Sequence, residues 1–181
     1  MIFKKTLLAT AVIAFNGLVA TSSAIAATAT GSFKVNLTIQ SSCILTVAVG
    51  TNDINFGTVA ANPTANLDQP QATPLSVACS NTTPYVINLT PASTSSTTGA
   101  GNMINGSVNV PYQLRQATGL AGAVWGNTGT VVGGVVTVGN GVQGTGTGMG
   151  NPATYTVYAT VPSTDFAPNT YTDTVNVSVV Y

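Results

Sequence analysis

Apolar and polar residues alternate without a slip over residues 29 to 39. Ala29, Gly31, Phe33, Val35, Leu37 and Ile39 fall on one side, and Thr30, Ser32, Lys34, Asn36 and Thr38 on the other. Period two predicts a half-buried β-strand. The last eleven residues repeat the pattern, with Tyr171, Asp173, Val175, Val177, Val179 and Tyr181 on one parity and Thr172, Thr174, Asn176 and Ser178 on the other. A long terminal strand of this kind invites pairing by another chain unless its edge is covered.

Between these two strands, short β-patterned runs recur, with turn signals separating them. Strands are predicted at Cys43 to Val49, Ile54 to Val59, Thr73 to Cys79, Tyr85 to Thr90, Ser107 to Gln116, Val131 to Val138 and Thr154 to Val161. Asn62-Pro63, Asn81 to Pro84, the Ser/Thr/Gly stretch Ser93 to Asn102 and Pro168-Asn169 punctuate them. Many short strands with no helical periodicity after residue 26 predict an all-β sandwich of immunoglobulin-like or related topology. Gly119 to Gly150 is glycine-dense, and Gly139 to Gly150 reads as a disordered loop.

Residues 1–26 read as a secretory signal: Lys4 and Lys5, an apolar run from Leu7 to Ala20, and the small-residue cleavage pattern Ala24-Ile25-Ala26. About 155 residues would follow the cleavage, enough for one domain. No later run is long and apolar enough for a membrane helix. An exported chain with only Cys43 and Cys79 is expected to join them, closing a loop of 36 residues worth about 3.8 kcal/mol in the chain-entropy model.

Charge narrows the function. Beyond the signal, Lys34 and Arg115 face Asp53, Asp68, Asp165 and Asp173. Two cations cannot neutralise several phosphates, so nucleic acid is excluded as a partner. There is no His, no Glu and no spare Cys. A nucleophilic triad lacks its base, zinc lacks ligands, and scattered aspartates do not suit calcium. No enzyme, metal or cofactor is expected. Asp165 and Asp173 read as a turn residue and a solvated strand residue rather than a catalytic pair.

Several spaced motifs carry a family resemblance: Asn55-Phe56-Gly57, Val77-Ala78-Cys79 followed by Pro84-Tyr85, Tyr112-Gln113-Leu114, Val124-Trp125-Gly126-Asn127, and Tyr171-Thr172-Asp173-Thr174-Val175 running to Tyr181. With the alternating strand ahead of Cys43, their order resembles the spore coat protein U domain family, which includes subunits of archaic chaperone-usher pili. Two positions depart from it. Asn169 stands where the family often has Gly before the terminal strand, with Asn tolerating left-handed backbone, and Arg115 where an aromatic residue is frequent.

The resemblance implies an immunoglobulin-like sandwich lacking its final strand, with a hydrophobic groove in its place. A periplasmic chaperone would lend a strand to that groove. At an outer-membrane usher the N-terminal strand of the next subunit would then replace it, giving a homopolymer on the cell surface that supports adhesion and biofilm formation. Residues 27–40 would be the donor segment and residues 41–181 the pilin domain. Phe33, Val35, Leu37 and Ile39 would be the plugs, worth roughly 6 to 12 kcal/mol before ordering costs. Val175, Val177, Val179 and Tyr181 would meet the chaperone, with the terminal carboxylate as anchor. The alternatives are an ordinary first strand over residues 29–39, a coat protein of spores or cysts, an eight-stranded outer-membrane barrel, and, last, an extracellular hydrolase.

Overall fold

Strand β4, Pro84–Pro91, is nearly buried along its whole length, so both of its faces must be covered. In the computed structural model, which describes residues 27–181 except Val49, two different layers cover them. Tyr85, Ile87 and Leu89 point into the core with Leu75, Val77, Leu114 and Trp125. Val86 and Asn88 point the other way, where Gly129 and Gly141 come so close that a Cβ on either would collide with both side chains. Asn88 fixes that layer by donating to the Gly129 carbonyl (2.8 Å) and accepting from the Gly129 N–H (3.2 Å). Trp125 is locked from within, its indole N–H donating to the Ile87 carbonyl at 2.9 Å.

The described residues form twelve strands and no helix. With β4 these are β1 (Cys43–Thr46), β2 (Leu67–Pro70), β3 (Leu75–Cys79), β5 (Ala100–Asn105), β6 (Val108–Arg115), β7 (Thr130–Val132), β8 (Val135–Thr137), β9 (Val142–Thr145), β10 (Ala153–Tyr155), β11 (Tyr158–Val161) and β12 (Val175–Val180). They associate in the orders β1-β3-β10, β2-β11-β6-β5 and β12-β4-β9, with β7-β8 as a separate hairpin. All pairings are antiparallel. The expected all-β class holds.

β6 shows why these residues make strands: Val110, Tyr112 and Leu114 alternate into the core while Asn109, Pro111 and Gln113 stay outside it. In β11, Thr160 is buried but satisfied, accepting from Arg115 Nε at 2.9 Å. Arg115 also donates to the Gly122 carbonyl at 2.6 Å. Arg115 thereby ties β6 to β11 and to the turn at Gly122. The edge strand β1 is held covalently: Cys43 lies directly opposite Cys79 in β3, and the two form the expected disulfide.

Several predicted strands need correction. Ile54 to Val59 forms no strand; Asn55 instead accepts from the Gly57 N–H at 2.7 Å in a side-chain turn. β2 and β5 lie where loops were expected. Thr154 to Val161 is divided, with β10 joining β3 and β11 joining β6. Val131 to Val138 is a hairpin turned at Gly133-Gly134, both at positive φ (56° and 79°), as a two-residue type I′ loop requires. Gly139 to Gly150, expected to be a disordered loop, contains β9 paired to β4. Asn169 does not take left-handed backbone; it exchanges amide hydrogen bonds with Asn105 at 3.1 and 3.2 Å.

The chain divides into two units at Thr38/Ile39. The described part of the first, residues 27–38, contains no hydrogen-bonded element, and Phe33, Val35 and Leu37 are 83–89% exposed. The signal reading of residues 1–26 lies outside the described residues.

Candidate functional site

β12 is the strand on which a site can be built. Among the described residues it pairs with β4 alone, Val175 opposite Pro91, Val177 opposite Leu89 and Val179 opposite Ile87. Its other edge carries no strand. The predicted parity holds: Val175, Val177 and Val179 are half-buried against the core, while Asn176 and Ser178 are exposed. Val177 is fixed by its neighbour across the sheet yet open on the side where a further strand would lie.

Beside this edge runs a groove of about 410 Å3. Core residues Leu89, Leu114, Val157 and Ala159 line it together with Val175 and Val177. Phe56, Met103 and Tyr171, all half-buried, close its sides. One end is pinned by Asn52, a buried side chain that accepts from the Ala48 N–H and donates to the carbonyls of Thr73 (2.6 Å) and Pro74 (3.0 Å). The shape and lining suit apolar side chains at regular spacing, and the edge of β12 that pairs with no strand among the described residues offers backbone groups beside them.

The polar residues of the groove serve its shape. Ahead of β12 the chain crosses between sheets: Thr172 bridges to Ile104 of β5, its carbonyl accepting the Ile104 N–H at 2.8 Å. Asp173 holds the crossing. Its carboxylate accepts from the Ser93 hydroxyl (2.6 Å), the Ser93 N–H (3.2 Å), the Tyr112 hydroxyl (2.7 Å) and the Thr174 N–H (2.8 Å). Burial pushes the Tyr112 hydroxyl well above the ordinary tyrosine range, and the bond to Asp173 raises it further. Asp173 is therefore not the solvated strand residue expected from sequence. Its membership of the Tyr171-Thr172-Asp173-Thr174-Val175 motif was the available signal; its partners, Ser93 and Tyr112, were too distant in the chain to be recognised. No group of three or more metal-ligating side chains occurs among the described residues.

Phe33, Val35, Leu37 and Ile39 belong to no strand and are 80–89% exposed. Tyr181 is about half exposed and lines a second, smaller hollow with Ser41, Pro84 and Gly133.

These features define an all-β chain in which one edge of β12 pairs with no strand among the described residues and borders an apolar groove. The model of the Spore Coat Protein U domain matches residues 29–178, and the chain belongs to that family. No curated protein matches it. Among solved structures it is similar to a chain of the chaperone–tip adhesion subunit pre-assembly complex CsuC–CsuE, from the archaic chaperone-usher Csu pili of Acinetobacter baumannii. Identity is 20% and the TM-score 0.44, over 80% of this chain and 40% of that one.

Proposed function

We propose that this chain is a structural subunit of an extracellular pilus assembled by donor-strand exchange, with no catalytic role. One observation carries the proposal. The chain has an open strand edge over an apolar groove, and it also has a segment in which four large apolar side chains recur every second residue and are 80–89% exposed. The groove suits an added strand with alternating apolar residues, and the segment at Phe33, Val35, Leu37 and Ile39 has that alternation. β-Augmentation satisfies both: backbone hydrogen bonds along β12 supply affinity and alternate side chains set register. Each large apolar side chain moved from water into a groove contributes about 1.5–3 kcal/mol.

In this account the domain is an immunoglobulin-like sandwich short of its last strand. Family membership supports the following assembly route. A periplasmic chaperone occupies the groove first, along Val175, Val177, Val179 and Tyr181. Exchange at an outer-membrane usher replaces it with residues 27–40 of the next copy. Because the donor segment of one copy fills the groove of the next, the contact is head-to-tail, does not close on itself and generates a filament. Adhesion and biofilm formation follow as roles of such a fibre.

Co-expression with a cognate chaperone, with and without residues 27–40, tests the assignment. The full chain should polymerise, and the truncated chain should persist as a soluble one-to-one chaperone complex without polymer. If truncation instead unfolds the domain and abolishes the complex, residues 27–40 belong to their own sheet and the proposal fails.

A further inference from the structure

The β7–β8 hairpin is apolar on both faces. Val131 and Val136 are half-buried on its inner side, whereas Val132 and Val135, directly opposite each other, are 75% and 69% exposed. Nothing inside the fold requires valine at the outer pair, since threonine has similar strand propensity and suits water better. Among the described residues of the Ile39–Tyr181 unit they are the most exposed large apolar residues apart from Ile39 itself.

The hairpin's position identifies what would cover them. Its turn, Gly133-Gly134, lines the hollow of about 360 Å3 that Ser41 also lines. Ser41 lies between the last apolar residue of the exposed segment, Ile39, and Cys43, which is tied to Cys79. The four residue steps from Ile39 to Cys43 span at most about 14 Å when fully extended. If residues 27–40 are inserted into another copy, as proposed above, that copy's body is held within this distance of the anchored end of β1. The hairpin tip borders the same spot.

We infer that Val132 and Val135 pack against the body of the copy that accepts the donor segment. They would form a second contact between successive subunits, one that fixes the angle at which each leaves the last. The inference rests on the donor-strand reading; the hairpin adds stiffness, not the linkage itself.

The test uses the full chain co-expressed with chaperone and usher. A photo-crosslinking residue at Val132 should join adjacent copies within dispersed single fibres, with adducts mapping to residues 41–181 of the neighbour. V132T/V135T should polymerise to within about twofold of the wild-type yield, with persistence length reduced at least about twofold. Fibres that form normally but give no such adduct, give adducts only between separate fibres, or keep their stiffness in V132T/V135T would overturn the inference and leave donor-strand exchange intact. Failure of the unaltered chain to polymerise would overturn both.

Discussion

The hydroxyl of Tyr112, in the middle of β6, donates a 2.7 Å hydrogen bond to the carboxylate of Asp173, two residues ahead of β12. The bond ties two sheets at the point where the chain crosses between them, and both residues line the groove. The edge offered to a partner is therefore held by a polar corner, beyond the valines that fill it.

Asp173→Asn replaces a carboxylate that accepts four hydrogen bonds with an amide that must turn donors toward Ser93 or Tyr112. Hydrogen bonds to a charged group contribute more than neutral ones, and an unsatisfied buried donor costs about 1–3 kcal/mol. Asp173→Asn should lower stability by about 2–3 kcal/mol in urea denaturation of the purified protein. A change below about 0.5 kcal/mol would mean that the corner does not hold β12.

Alkaline pH should act through Tyr112 and Tyr85. Both hydroxyls are raised above the ordinary value of 10, Tyr85 by burial and then by its 2.7 Å bond to the Tyr155 hydroxyl. A raised acid binds its proton more tightly in the folded state. The stability it contributes is thus whole below the unfolded value of about 10 and falls as pH rises above it. In a spectrophotometric titration these two rings should ionise only as the protein unfolds. Y112F should flatten the fall in stability above pH 10, and an unchanged fall would contradict the role given to this hydroxyl.

Cys43→Ser with Cys79→Ser frees β1, which among the described residues pairs with β3 alone. The expected loss is about 2–4 kcal/mol, with the same shift produced in the unaltered protein by reductant. Equal urea midpoints for oxidised and reduced protein would refute a stabilising role.

How far the sequence carried depended on what each residue faces. β4, β6 and β12 were legible because one or both faces meet the core, leaving Tyr85, Ile87 and Leu89, or Val175, Val177 and Val179, as a pattern. β2 was hidden because Leu67-Asp68-Gln69-Pro70 is a short edge strand with little to bury. β9 was hidden for a different reason. Gly144 is glycine because the Tyr85 and Tyr155 rings occupy the space of its side chain, and Gly146 because the backbone of Cys79 and Ser80 does. Glycine there records tight packing, although in sequence it resembles flexibility. The groove was legible only as an unpaired final strand. Its far wall, from Phe56 and Met103, depends on contacts distant along the chain.

The central claim is that the apolar face of residues 33–39 fills another copy's groove, and parity offers the most direct measurement. Leu37→Asp puts a charge on that face; Thr38→Asp puts the same charge one residue away, on the other. Losing one buried leucine, at about 1.5–3 kcal/mol, is worth tenfold or more in affinity. In full-length chain co-expressed with the chaperone, polymer measured as a detergent-resistant, heat-dissociable ladder should fall at least about tenfold for Leu37→Asp and stay within about twofold for Thr38→Asp. Equal effects of the two substitutions, or none from Leu37→Asp, would contradict it.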